Sequence, residues 1–263
     1  MEQIISGQFY NTQYEFNIQE KKLILNHNGA EVCCELLDTR NDNLIQAYKE
    51  EKVYLDTKEQ ELFQNKTLYY CSRSVLKTIS CDTELYMDML VYNDEKNVIY
   101  PNALNRSQGH CNKRMQIEYH QVMKGEIISI AISPEGKSYY GFFGEGDYIH
   151  VPKGWFHCTY VTKGPAVVGN FYCNTPWGDH VEFKPYFEID NDYCIEYGDN
   201  DGEYILKKKG WERKVVIKRD EVYSLQELEL YTYKDLEQDR IVRTEYPCKN
   251  IFDYFYQIDI SQE

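Results

Sequence analysis

Short runs of alternating or continuous apolar residues, separated by glycine, proline and acidic turns, dominate the middle of the chain. Residues 87–92, 127–132, 138–143, 148–151, 157–161 and 166–172 are each rich in β-branched or aromatic side chains, the types that fit a pleated surface. Between them stand Lys124-Gly125-Glu126, Pro134-Glu135-Gly136, Gly144-Glu145-Gly146 and Lys163-Gly164-Pro165. These are turn formers, because glycine reaches positive φ freely and proline presets φ near that of a turn. Regular short strands with such punctuation predict an antiparallel barrel or sandwich over residues 81–210. Residues 1–80 mix short strands, such as Leu23-Ile24-Leu25, with helix-like polar stretches at 41–50 and 57–65, and are expected to pack on that barrel. Beyond Gly210 the texture changes. Ser224-Leu225-Gln226-Glu227 has the form of a capping box, so a helix is expected to start there and run toward Arg240. The aromatic tail 251–260 reads as an added strand or a docked arm, which makes 211–263 a helix-containing extension. The fold class expected is mainly β.

Composition narrows the function classes. At 263 residues the chain can bury a sizeable core, and 25 tyrosines with 11 phenylalanines favour strands. A formal charge of −14 opposes nucleic-acid and anionic-membrane binding, since both need basic surfaces. An anionic substrate would have to find local positive charge in an acidic protein. The nine cysteines are odd in number and form no C-x-x-C pair, which fits reduced thiols and a cytoplasmic location. No apolar run approaches the roughly 18–20 residues of a membrane helix.

Candidate chemistry lies in two hairpins. Gly146-Asp147-Tyr148-Ile149-His150-Val151-Pro152-Lys153-Gly154-Trp155-Phe156-His157 reads as G-x5-P-x-G-x2-H: a strand, a tight turn and the start of a returning strand that aims His157 inward. Upstream, His110 and Asn112 are two apart and so share a strand face, with Glu118 on the next part of the hairpin. Two imidazoles, a carboxylate and a carboxamide oxygen suit one first-row divalent ion, Fe²⁺, Mn²⁺, Ni²⁺ or Zn²⁺, with positions left open for substrate. The bland alternative is a set of polar groups lining a barrel without metal. His120, two past Glu118, shares its face and is either a catalytic or ligand group or a lining histidine. His27, His150 and His180 take structural or surface roles by default, although His150, in the strand before Pro152, is a candidate to line the barrel. Arg106 and Lys113 read as solvated hairpin charges, the alternative being help in holding an anionic substrate.

The spacing around His157 resembles the second signature motif of the cupin β-barrels. The longer run Ser107-Gln108-Gly109-His110-Cys111-Asn112, Glu118, Lys124-Gly125, Gly146, Val151-Pro152-Lys153-Gly154-Trp155-Phe156-His157 and Asn170-Phe171-Tyr172 is similar to the cupin-type (archaeal-type) glucose-6-phosphate isomerases over roughly residues 20–210. The resemblance implies a double-stranded, jelly-roll-like barrel and metal ligands at His110, Glu118 and His157, with Asn112 where the family has a second histidine. It also implies phosphate contacts from Ser107, Gly109 and Tyr172, while a further family threonine corresponds to about Met89. Glu118 is then the family's proton-moving group and His120 an extra one, in an aldose–ketose isomerisation of glycolysis and gluconeogenesis. Two other classes stay open: another cupin metalloenzyme (an epimerase, a lyase or an Fe-dependent oxygenase), and a non-catalytic sugar-binding barrel. Aromatic outer strands further suggest a homodimer, since exposed apolar faces and open edges are costly in a monomer.

Overall fold

The computed structural model describes residues 4–9, 12–27, 30–35, 68–80, 83–92, 98–100, 102–111, 117–152, 154–174, 192–221 and 225–238. The strands are β1 (Ile4–Phe9), β2 (Thr12–Asn17), β3 (Lys22–His27), β4 (Ala30–Glu35), β5 (Tyr70–Ser80), β6 (Thr83–Tyr92), β7 (Val98–Tyr100), β8 (Ala103–Leu104) and β9 (His110–Cys111). They continue as β10 (Ile117–Ile132), β11 (Ser138–Gly144), β12 (Tyr148–Val151), β13 (Phe156–Asn174), β14 (Tyr193–Tyr197), β15 (Glu203–Lys208), β16 (Val215–Lys218) and β17 (Leu230–Thr232). A short helix α1 (Tyr233–Gln238) follows. The chain is mainly β, as the alternation predicts. The helix-like stretches expected at 41–50 and 57–65, Asn112, Lys113, His180 and the tail 251–260 lie outside the described residues.

β1 to β4 form an antiparallel meander in chain order. β2 shows its logic: Thr12, Tyr14 and Phe16 are buried, while Gln13 and Glu15 between them face water. A second sheet runs β17-β11-β10-β13-β6-β5, with β12 added on β10 and β9 on β13. β7, β8, β14, β15 and β16 make a third sheet.

The second sheet is a barrel because its two longest strands bend. Residues 117–124 of β10 pair with 167–173 of β13 and with β12, whereas residues 126–132 pair with 156–163 of β13 and with β11. Register shifts between Val122 and Ile127 mark the bend. Gly125 sits there at φ +79°, where a Cβ would come within 2.5 Å of the Lys163 carbonyl oxygen. The two strands expected at 157–161 and 166–172 are thus one bent strand, and Lys163-Gly164-Pro165 is its corner. The bend turns one sheet into two facing layers.

Alternation along β10 divides its side chains among three cores. Tyr119 and Met123 pack outward against Phe16, Leu23 and Leu25 of the N-terminal meander. Val122, Ile127 and Ala131 point between the two barrel layers. Ile128, Ile130 and Ile132 pack outward on the third sheet, against Ile195, Leu206 and Ile217. Burial of each such aliphatic side chain contributes about 1.5–3 kcal/mol. The sandwiching sheets cover both outer faces of the barrel, leaving its mouth as the place for chemistry.

The helix expected from Ser224 toward Arg240 does not start there. Gln226–Leu228 is a single 3-10 turn, Glu229 takes φ 52°, and Leu230–Thr232 joins β11 as a parallel strand. The capping box stands at Thr232 instead. Its N–H and hydroxyl donate to Asp235 Oδ2 at 2.7 Å, and the Asp235 N–H returns to the Thr232 hydroxyl at 3.3 Å. Leu230 is buried at this edge, so strand pairing outcompetes the earlier local signal. Among the described residues no helix is long and apolar enough to cross a membrane.

Candidate metal centre

β10 carries Glu118 and His120 on its inward face, alternating with outward Tyr119. β13 begins with Phe156 outward and His157 inward, and β9 pairs with it so that His110 lies directly across from His157. Gly109 allows this approach. It adopts φ +81°, and an added Cβ would meet Phe156 Cζ at 2.5 Å and Cys158 Cβ at 2.9 Å. The imidazoles of one layer therefore face the carboxylate of the other.

Glu118 is 1 % exposed and lies amid three histidines. Its Oε2 is 3.4 Å from His157 Nε2 and 3.9 Å from His110 Nε2, and its Oε1 is 3.1 Å from His120 Nε2. The His110 and His157 rings are 4.3 Å apart by centroid, and those of His120 and His157 5.3 Å. Burial alone would raise the carboxyl's pKa; the imidazoles of His157, His120 and His110 outweigh it and hold Glu118 well below the usual carboxylate range.

Donor atoms of His110, Glu118 and His157 lie within 4.8 Å of one another. His157 is buried, yet neither ring nitrogen has a hydrogen-bond partner, and His120 Nδ1 is in the same state. Buried polar nitrogens are normally satisfied, so the orphaned His157 Nε2 beside the Glu118 carboxylate fits a metal ion with nitrogen and oxygen ligands. The expected trio is brought together. His120 joins it through Glu118, and Asn112 lies outside the described residues.

The expected phosphate contacts are distributed over both layers. The Ser107 N–H donates to the Thr159 carbonyl oxygen at 2.9 Å, and the Ser107 hydroxyl accepts the Thr159 N–H at 3.0 Å. Gly109 is buried against Phe156. Tyr172, on the other layer, donates its hydroxyl to Asp88 Oδ1 at 3.3 Å. Met89 stands on the outward face in the N-terminal core, so the inward position on that strand belongs to Asp88, which is fully buried. Sequence reasoning missed Asp88. Its signal was one charge inside the apolar run Met87-Asp88-Met89-Leu90-Val91.

Two further expectations change. Arg106 is not a solvated charge: it is fully buried, donating to the Tyr160 hydroxyl at 2.9 Å and the carbonyls of Tyr193 at 2.8 Å and Ser107 at 3.1 Å. It ties the barrel to β14. His150 does not line the barrel. It pairs with Tyr119, with rings 4.9 Å apart on the outer face, and burial lowers its pKa to about 4.

No family model and no curated protein matches the chain. Among solved structures it is similar to oxalate decarboxylase of Bacillus subtilis. A deletion mutant of that protein aligns at 16% identity and TM-score 0.31, covering 42% of this chain and 27% of the other. A tryptophan-to-tyrosine variant aligns at 15% identity and TM-score 0.32, over 44% and 28%. A form studied for its Mn(II) centres aligns at 16% identity and TM-score 0.32, again over 44% and 28%. The aligned part is thus little more than a quarter of those chains.

Proposed function

We propose that this protein is a metal-dependent enzyme of the cupin type, in which His110, Glu118 and His157 hold one divalent ion. The reaction proposed is the interconversion of an aldose and its ketose, of the glucose-6-phosphate/fructose-6-phosphate type implied by the motif resemblance. The observation that carries the metal reading is the buried Glu118 carboxylate facing His157, whose two ring nitrogens lack hydrogen-bond partners. When bound, the ion supplies Lewis acidity toward the two neighbouring substrate oxygens whose charge grows during enolisation.

The chain's own groups divide the remaining work. Glu118 Oε2 faces the two imidazoles that complete the ligand set, while Oε1 is held by His120. His120 thereby fixes the carboxylate's orientation and stands ready to hold or pass a proton at Nε2. The apolar lining of Val122, Ile127 and Val168 between the layers limits water below the site. Tyr172, inward on the neighbouring strand, borders the substrate space, its hydroxyl pKa raised by burial and by Asp88.

Reconstitution with Mn²⁺, Fe²⁺, Ni²⁺ or Zn²⁺ followed by incubation with glucose 6-phosphate in D₂O tests the reading. Ketose formation, or solvent deuterium at C2, is the expected result; neither with any ion refutes the isomerase assignment. Oxygen uptake with Fe²⁺ would point instead to an oxygenase. We further propose a homodimer, checked by sedimentation mass against the 31.3 kDa chain.

A further inference from the structure

A polar row leads away from the metal centre along the inner face of the first barrel layer. His120 on β10 pairs with Asn170 on β13, which pairs with Asp88 on β6. Two strand spacings separate His120 from Asp88, or about 10 Å. Asn170 Oδ1 and His120 Nδ1 are buried atoms with no hydrogen-bond partner, and the His120 side chain is 9 % exposed. Buried polar atoms are normally satisfied, so this row stands out as a polar track on the shared inner face between the metal centre and Asp88.

At the far end of that row stands Arg73. The β5–β6 ladder shifts register between Ser72 and Leu76, and Ser74 adopts φ 50°, which is unfavourable for a residue with a Cβ. The bulge is held by Asp88: its Oδ1 accepts the Ser74 N–H at 2.7 Å and the Tyr172 hydroxyl at 3.3 Å, and its Oδ2 accepts from Arg73 Nη1. Strained backbone retained by a buried carboxylate is a costly way to place one side chain, and it places a guanidinium. Asp88 is fully enclosed, whereas the Arg73 side chain is 46 % exposed. Only one edge of the fork is engaged by Asp88, and the planar fork has five N–H donors.

We infer that Arg73 is the receptor for the anionic end of the substrate, with Asp88 as its positioning residue. This rests on the metal-enzyme reading above and extends it to substrate class: a small hydroxy-carbonyl compound whose phosphate or carboxylate reaches past Asp88, itself about 10 Å from His120. In a protein of net charge −14, such a substrate needs a local cation, and the N–H donors of Arg73 beyond the one given to Asp88 match a fork-shaped oxyanion. Its place differs from that of Ser107 and Gly109, which belong to the opposite layer.

The test is calorimetric titration of the full chain, manganese-loaded and metal-free, with inorganic phosphate and, separately, with succinate. The unmodified chain is compared with the double variant Arg73→Met, Asp88→Asn, which removes the cation without burying an unpaired charge. Expected is binding of at least one anion, weakened tenfold or more in the double variant, with manganese stoichiometry unchanged. Phosphate binding alone identifies a phosphorylated substrate, and succinate binding a carboxylate. Equal binding by both proteins, or no binding by the unmodified chain, overturns the assignment. Anion binding that persists in a chain unable to take up manganese would refute the metal reading and leave this one standing. Phenylglyoxal labelling of the native chain, read by peptide mass, is independent of any variant's folding: phosphate or succinate must protect Arg73.

Discussion

Gly109→Ala, compared with Gly136→Ala, separates backbone strain from packing beside the metal centre. Both glycines have positive φ, +81° and +89°. Around Gly136 nothing lies within 4 Å of an added Cβ, whereas at Gly109 the methyl would press on Phe156 Cζ at 2.5 Å, Cys158 Cβ at 2.9 Å and the His157 carbonyl oxygen at 3.0 Å. The backbone penalty common to both is about 1–2 kcal/mol. Overpacking adds about 1–3 kcal/mol at Gly109 only. For a chain of this size each kcal/mol lowers Tm by about 2–4 °C. Thermal melts under one set of conditions should therefore place Gly109→Ala below Gly136→Ala by at least about 2 °C. The second readout is metal uptake. The contacted atoms belong to the strand that carries His157, and His110 is the next residue, so Gly109→Ala should weaken manganese affinity roughly tenfold or more. Gly136→Ala, in a remote turn, should leave it unchanged. Equal Tm shifts and equal manganese affinities for the two variants would refute the role given to Gly109.

His150 is half-buried with its pKa lowered to about 4. Since the unfolded value is about 6.5, the unfolded chain binds the extra proton between the two values. Its contribution is complete above the unfolded value and is lost as pH falls toward about 4, a change of up to roughly 3 kcal/mol; His150→Phe should flatten the dependence of Tm on pH in that window, and an unchanged slope would contradict this. Arg106→Lys should cost about 3 kcal/mol in urea unfolding, because an ammonium cannot reproduce the fork that serves Tyr160, Tyr193 and Ser107; a shift below about 0.5 kcal/mol would show that the buried guanidinium is dispensable. Thr232→Ala should cost about 1 kcal/mol in urea unfolding through loss of the cap on α1.

The strands and most of the candidate ligand set were legible because their signals are local. Period-two alternation puts Glu118 and His120 on one face of β10, and the spacing before His157 aims it inward once a hairpin is granted. What escaped depends on partners far along the chain. Arg106 reads as a solvated charge until Tyr160 and the Tyr193 carbonyl are brought to it. Asp88 looks like a lone polar residue in an apolar strand until the bulge at Arg73 and Ser74 is known. His150 changes role with strand register, because a one-residue shift exchanges inner and outer faces. The capping motif at Ser224 competes with a strand signal in Leu230-Tyr231-Thr232, and the buried edge of β11 decides between them.

The account stands or falls on whether the buried carboxylate and its imidazoles hold an ion. Elemental analysis of protein purified without chelators and reloaded with manganese measures this directly, beside His157→Ala and Glu118→Gln. The account predicts about one ion per chain for the unmodified protein. It predicts loss of most metal in both variants, with a cooperative melt retained in His157→Ala because that ring makes no hydrogen bond the fold depends on. Full metal occupancy in His157→Ala, or a metal-free unmodified chain after reloading, would contradict it.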